Sequence, residues 1–408
     1  MPQSNGDRMI LDGCTVLDFT QYLAGAGVTR MMAELGADII KVEIPEVGDG
    51  GRLLPFHAGG RSGFFVQHNR GKKSLCVNWD TEEGQALLLD LAKDVDIVAE
   101  NFSSSEIMAR RGLDYDSIRA INPRVIYLSV SCFGRKSAWA GKPGYDYIAQ
   151  AVSGIMHMTG DPDGPPYFVC SALGDTNGAV HGFASLGYAL YHRERTGRGQ
   201  YLDISMTDAL FHFHEGQLMA NYLTDGEFEA KRYGNHHVAV FPAGTFRGPQ
   251  GYIVVLALDL QWANVCRCIG RPDLLDNPRY ETLTQRAEHQ KELIPLIEEW
   301  MATFATDQEV LDELERHHVP AGPVLSPTDA LDHPYFKSRD MVRWVDDPRT
   351  GPIPIPGFPF KFSDQPELPP LMAADLGEHN AEVLTTRLGL SEERVAELTK
   401  AGVLYHSP

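Results

Sequence analysis

Cys14-Thr-Val-Leu-Asp-Phe19, a turn through Thr20-Gln-Tyr-Leu-Ala-Gly-Ala-Gly27, Val28-Thr-Arg-Met-Met-Ala-Glu-Leu35 and Ala37-Asp-Ile-Ile-Lys-Val42 decide the fold. The first and last runs are short, apolar and rich in β-branched residues, which predicts two strands. Between them, Val28–Leu35 carries apolar residues at helical spacing. A strand, a helix and a second strand in that order predict a parallel pair, because parallel neighbours need a crossover rather than a hairpin. The same alternation continues outward. A helix opens near Thr81 with Leu87, Leu88, Leu91 and Ala92 on one face, and Asp96-Ile-Val-Ala99 and Val125-Ile-Tyr-Leu-Ser-Val130 read as further strands. The first 210 residues therefore predict an α/β layer structure around a parallel sheet.

The opening turn tempts a cofactor reading. Gly25-Ala-Gly27 follows a strand and opens a helix, and Glu43 ends the next strand, much as in a dinucleotide-binding signature. The third glycine of that signature falls at position 30, where this chain has Arg30, too bulky for close helix–strand packing. An NAD-dependent oxidoreductase stays only as a distant alternative.

Beyond residue 215 the texture changes. Tyr252-Ile-Val-Val-Leu-Ala257 reads as a strand, and Leu293, Ile294, Leu296, Ile297, Trp300, Met301 and Phe304 recur at helical spacing. Thr306-Asp-Gln-Glu309 has the form of a capping box ahead of Val310, Leu311 and Leu314. The sequence thus predicts a large domain over 1–215, a smaller α+β domain over 216–325, and a linker with a C-terminal segment over 326–408. Pro352-Ile-Pro-Ile-Pro-Gly-Phe-Pro359 is expected to run as an extended surface connection, since proline donates no ladder hydrogen bond. A last helix is expected from Ser391 to Gly402.

At 408 residues, with 43% hydrophobic and 22% charged residues, the composition is that of an ordinary globular protein. The formal net charge of −19 argues against a general binder of nucleic acid or anionic membranes. Six scattered cysteines, a polar N-terminus without an apolar leader and no run of about 18 apolar residues predict a cytoplasmic protein with buried thiols.

Three blocks are more specific: Leu17–Glu43; Ala99-Glu-Asn-Phe102 with Arg110 and Arg111-Gly112; and Ala172-Leu-Gly-Asp175 with Arg195-Thr-Gly-Arg-Gly-Gln200 and Asp203-Ile-Ser-Met206. Together they resemble the class III CoA-transferase family, which includes formyl-CoA, carnitine and succinyl-CoA transferases and is related to the α-methylacyl-CoA racemases. The resemblance continues through Ala321-Gly-Pro-Val324, Phe360-Lys-Phe362 and Leu376-Gly-Glu-His379. It implies a Rossmann-like large domain completed by the C-terminal segment, an interlocked homodimer, acyl-CoA thioesters and small carboxylic acids as substrates, and no permanently bound cofactor.

The resemblance makes Asp175 the nucleophile, attacking an acyl-CoA and passing through an anhydride and an aspartyl-CoA thioester. By residue type alone, Asp175 reads as the N-cap of a helix that starts at Asn177. That position would favour its anion, and amides near Gly174 would stabilise oxyanions. The small residues Gly178, Ala179, Gly182 and Gly187 predict close helix packing.

CoA carries about four negative charges, so its site must gather cations locally. Asn69-Arg-Gly-Lys-Lys73 contributes +3 and residues 103–145 a net +4, which leaves −26 on the rest. The resemblance places CoA contacts at Leu23, Ala24, Gly25, Asn101, Phe102 and Arg110, with Tyr145 beside the reacting centre. Lys72, Lys73 and Lys142 are added on charge, and Arg52 is a further possible phosphate contact. The racemase alternative needs a basic residue thirty positions before Asp175; Tyr145 stands there, and a phenol near pKa 10 is a poor base at neutral pH. His212-Phe-His214-Glu215 and His236-His237 complete no standard ligand set, so no metal is expected. His236 and His237 are instead candidates to face the acyl pocket.

Overall fold

The computed structural model describes residues 8–365, 368 and 371–407; the polar stretch 1–7 lies outside them. Six strands, β1 (Thr15–Asp18), β2 (Asp38–Glu43), β3 (Lys72–Cys76), β4 (Ile97–Glu100), β5 (Ile126–Ser131) and β6 (Tyr201–Ser205), form one sheet in the order β3-β2-β1-β4-β5-β6. Every neighbouring pair is parallel, with Val16 opposite Ile39 on one side and Ile97 on the other. This is the doubly wound order expected of a Rossmann-like domain.

Both faces of the sheet are covered, as a parallel sheet requires. Leu17, Ile40, Leu75 and Val98 point into one apolar layer, and Val16, Ile39, Ile97 and Leu128 into the other. Helix α1 (Ala24–Glu34) opens four residues before the predicted start, so the turn glycines lie inside it. A Cβ on Gly27 would sit 3.0 Å from the Cβ of Ala179, so glycine is needed here for helix packing rather than for a phosphate. Helix α2 (Glu82–Ala92) is capped by Thr81, whose hydroxyl accepts from the Gly84 amide, and it buries Leu87, Leu88 and Leu91 as predicted. Two more helices shape the site: α3 (Asp146–Val152) and the long α4 (Leu173–Thr196). On α4 the small-residue stripe holds at Ala179 and Gly182, whereas nothing lies within 4 Å of a Cβ on Gly187.

The chain divides into two compact units. One contains the sheet and takes the residues up to Ile155, Val169–Gly216 and the segment from Tyr335 onward. The other takes Met156–Phe168 and Gln217–Pro334. Its three antiparallel strands, β7 (Ala243–Arg247), β8 (Tyr252–Leu256) and β9 (Ala321–Pro323), lie in the order β9-β8-β7. Against them pack α5 (Gln290–Met301) and α6 (Asp307–Arg316), the latter opened by the predicted Thr306/Glu309 capping box.

The proline-rich stretch is not a mere connection. Strands β10 (Val342–Asp347) and β11 (Gly351–Pro356) pair as a hairpin. Its prolines, 352, 354 and 356, alternate with Gly351, Ile353 and Ile355, and all three are exposed. Alternation leaves every second residue able to donate, which is all that one paired edge of a strand needs. Helix α7 (Glu392–Lys400), capped by Ser391, sends Val395 and Leu398 into the same apolar layer as Leu87 and Leu88.

Candidate active site

In this strand order the connections diverge between β1 and β4, and a crevice opens beyond their carboxyl ends. A cavity of about 270 Å³ lies there. Its walls come from Gln21–Ala24 after β1, Asn101–Ser103 after β4 and Cys132–Gly134 after β5, and from Lys142, Tyr145 and Asp175. Leu23, Ala24, Asn101, Phe102, Lys142, Tyr145 and Asp175, far apart in sequence, are thus brought to one place.

The first wall is held from below by buried charge. Asp18 at the end of β1 accepts from the amide and hydroxyl of Thr20 and from the Thr29 hydroxyl, and lies 3.0 Å from the Lys72 ammonium. Lys41 pairs with Asp49 at 2.8 Å and donates to the Thr20 carbonyl. Asp49 in turn accepts from the Tyr22 amide, fixing Tyr22 at a left-handed φ of 60°. Asn101 clamps the same loop across the crevice: its amide accepts from Gln21 N and donates to Gln21 O. Asn101 therefore lines the pocket while its side chain is committed to the loop. Arg135 braces the second wall by donating to the Phe102 and Ser103 carbonyls, and its ion pair with Glu100 locks the guanidinium in place. Gly25 is buried behind the wall, where a Cβ would collide with Thr20.

Asp175 occupies the third position of α4, not its cap. Ala172, in the left-handed region, is the capping residue and offers no side-chain bond. The cap comes from Asp146 on α3, whose Oδ1 accepts from the amides of Gly174 at 2.5 Å and Asp175 at 3.2 Å. The amide expected to serve as an oxyanion donor at Gly174 is therefore already engaged. The electrostatic expectation also reverses: burial first, then the nearby Asp146 charge, pushes the Asp175 carboxyl up to about 7. Asp146 and Arg135 carry no spacing signal; only the fold brings them to the site.

Most of the basic cluster is spent internally. Lys72 does not line this cavity: it is 4% exposed, and its ammonium is taken by Asp18, the Asn69 side chain and the Ala26 carbonyl. Lys73 pairs with Asp38 and Glu382, Arg70 with Glu34, Arg111 with Asp80, and Arg52 with Glu43 in a two-pronged bond. That last pair also takes the acid a ribose would need, and Arg30 is held by Glu34. Lys142 lies in the pocket with its ammonium 4.1 Å from the Trp139 ring centroid. Arg110 stands exposed in a shallow depression that shares Ile107 with the pocket. Neither is in an ion pair among the described residues.

None of the histidines among the described residues lines this cavity. His236 packs edge-on against Phe246 at 4.9 Å within the second unit, and burial holds its imidazole below the usual range. His237 accepts from the Ala239 amide. His214 reaches the Ser153 carbonyl at 2.6 Å. No group of three or more potential metal ligands occurs among the described residues, and no helix among them is long and apolar enough to cross a membrane.

A family model described as CoA-transferase family III matches residues 11–380. The formyl-CoA:oxalate CoA-transferase of Streptomyces avermitilis is 35% identical, over 97% of this chain and 99% of its own length. The succinyl-CoA:mesaconate CoA-transferase of Haloarcula hispanica is 37% identical, over 92% of this chain and 95% of its own. A solved CAIB/BAIF family protein from Brucella suis superposes with a TM-score of 0.81 at 34% identity, covering 93% of this chain and 100% of that one.

Proposed function

The chain belongs to CoA-transferase family III, and from that premise we propose that it carries CoA from an acyl-CoA thioester to a carboxylic acid through covalent intermediates on Asp175. The observation that carries this reading is that Asp175 is the sole carboxylate among the residues lining the switch-point pocket. A carboxylate oxygen of Asp175 attacks the thioester carbonyl carbon, and the C–S bond breaks to give a mixed anhydride and CoA thiolate. The thiolate attacks the Asp175 carbonyl carbon, forming an aspartyl-CoA thioester and releasing the donor acid. The acceptor carboxylate attacks that thioester and expels CoA thiolate again. The thiolate then attacks the acceptor's carbonyl and frees Asp175. No step moves a proton, so Tyr145 is not required as a base, and no histidine among the described residues lines the pocket for α-proton exchange.

Leu23, Ala24, Phe102 and Tyr145 form the surface for the pantetheine arm, with Lys142 and Arg110 the cations for its phosphates. Lys72 supports the wall from behind. All six cysteines are free thiols, in keeping with work in a reducing cytoplasm. The test is peptide mass mapping after brief incubation with formyl-CoA or succinyl-CoA and no acceptor. A CoA-sized adduct on the peptide containing Asp175 is expected; an adduct confined to another peptide, or none with either donor, removes the reading.

The enzyme acts as a homodimer in this reading. On α4, Val180, Tyr188 and Tyr191, at i, i+8 and i+11 on one side of the helix, are 43%, 78% and 63% exposed, a face that a monomer of this kind leaves costly in water. Light scattering at micromolar concentration is expected to give twice the chain mass of 45.2 kDa. A single-chain mass would remove the dimer.

A further inference from the structure

A helix start leaves its first amides without partners, and α4 begins at a residue that cannot cap it. Ser171 and Ala172 both lie at positive φ, 107° and 50°, so the chain enters α4 through a turn that supplies no acceptor of its own. The acceptor is supplied by a residue 29 positions away in sequence. Asp146 Oδ1 takes the Gly174 and Asp175 amides, and its Oδ2 accepts from Gln150 Nε2 at 2.8 Å. Gln150 is itself fully buried and fixed, since its Oε1 accepts from Val169 N and its Nε2 also donates to Val169 O. A Cβ at position 174 would come within 3.0 Å of Asp146 Oδ1, so glycine there leaves room for the carboxylate. Asp146 is 6% exposed, stands in no ion pair among the described residues and does not line the pocket.

We infer that Asp146 is a positioning residue for Asp175: it caps α4 from α3, fixes the direction in which the nucleophile points, and supplies the negative field in which the nucleophile works. The inference rests on the reading of Asp175 as nucleophile. A neutral acceptor would cap the helix equally well, and a buried acid without a cation is an expensive way to do so. What the charge adds is control of ionisation. Beyond burial itself, the Asp146 charge contributes to the rise of the Asp175 carboxyl to about 7. The other titratable groups lining the pocket are Cys132, whose thiol burial pushes up to about 11, Lys142 and Tyr145. The anion attacks and the acid does not, so kcat/KM is expected to fall as pH drops below about 7. A carboxylate held near that pH is a better nucleophile than one of ordinary acidity, because nucleophilicity rises with basicity.

The experiment measures kcat/KM for acyl-CoA from pH 5.5 to 8.5 in wild type, Asp146→Asn and Asp146→Ala, with mass mapping of Asp175 alongside. Asp146→Asn keeps the Oδ1 acceptor and loses the charge, so its acid limb is expected to move down by roughly one pH unit. Asp146→Ala loses cap and charge, and its high-pH plateau is expected to fall about tenfold or more through misalignment, with acyl-CoA affinity retained. A merely structural role would lower melting temperature and plateau together while leaving the acid limb in place. An Asp146→Asn limb that overlays wild type, or an Asp146→Ala plateau equal to wild type, overturns the inference. If Asp146→Ala does not fold, the Asp146→Asn limb still decides. Absence of CoA on the Asp175 peptide in wild type is a different result: it removes the nucleophile reading, and this inference with it.

Discussion

Asp175→Asn is expected to lower kcat for CoA transfer by about 10⁴-fold or more, as losing a covalent nucleophile does elsewhere, while equilibrium binding of acyl-CoA stays within a few-fold. The amide has the shape of the carboxylate, so the pocket and the capped start of α4 survive. Its oxygen is a poor nucleophile, and the cycle has no route around the aspartyl intermediates. Labelling exposes the same dependence in wild type. An oxygen-18 atom from the acceptor acid passes to Asp175 when CoA thiolate frees the anhydride, and leaves in the donor acid on the next turnover. Direct transfer through a donor–acceptor anhydride would put the label into the donor acid in the first turnover and never on the Asp175 peptide, whereas the aspartyl route leaves the first donor acid unlabelled and the label on Asp175. The variant also has a stability signature. The folded Asp175 carboxyl lies near 7 against 3.8 for the free side chain, so the folded state holds a proton that the unfolded state has lost between those values. Stability therefore falls as pH rises from about 4 to about 7 and stays penalised above that. Asp175→Asn escapes the penalty and is expected to melt higher than wild type at pH 8, with the gap closing as pH falls to 4. Turnover within tenfold of wild type, or an unchanged melting difference across that pH range, would remove Asp175 from the chemistry and from its buried setting respectively. Transfer absent in wild type, with α-deuterium uptake by a branched acyl-CoA, would make this a racemase.

The strands β1, β2, β4 and β5 were legible because they are apolar runs between helical ones, which is how a doubly buried sheet must read. Strand β3 was not, because Lys72-Lys-Ser-Leu-Cys76 looks like surface charge until Asp18 is placed 3.0 Å from the Lys72 ammonium. Sequence charge measures how many cations a segment has, and only the fold says which of them are already neutralised. The same limit explains why Lys142 and Arg110 emerge as the cations near the pocket from a cluster in which Arg111, Arg124 and Arg135 are paired with Asp80, Glu194 and Glu100. Asp175, the proposed nucleophile, was singled out through its ordered neighbours, but its electrostatics were not legible. A helix start argues for a depressed carboxyl; burial raises it, while Asp146, distant in sequence, takes the first amides and adds a like charge, and the direction reverses.

Lys72→Met is expected to cost the sheet-bearing unit about 3–5 kcal/mol, the usual penalty for stranding one member of a buried pair. The lysine and its partner are both nearly inaccessible. Burial pulls the Lys72 ammonium down to about 8 in spite of Asp18. For Asp18, burial acts to raise the carboxyl, and the Lys72 and Lys41 charges overcome it and hold it below the usual range. Removing Lys72 leaves Asp18 with Lys41 as the remaining cation among those that depress it, and Lys41 is already engaged with Asp49. Melting is expected to fall by roughly 10 °C, at about 2–4 °C per kcal/mol for a unit of this size. Adding Asp18→Asn should return part of the loss, since the two side chains share one interaction and their effects cannot add. The functional consequence follows from the loop above. Asp18 holds Thr20 by its amide and hydroxyl, and Thr20 leads into the Gln21–Ala24 wall, so a loosened Asp18 raises KM for acyl-CoA in step with the lost stability. A lysine that touched CoA would show the opposite pattern: unchanged melting in the free enzyme, weaker CoA binding, and a shallower dependence of that binding on salt. Unchanged melting in Lys72→Met would therefore return Lys72 to the ligand and leave Lys41, with the Thr20 and Thr29 donors, sufficient to hold Asp18.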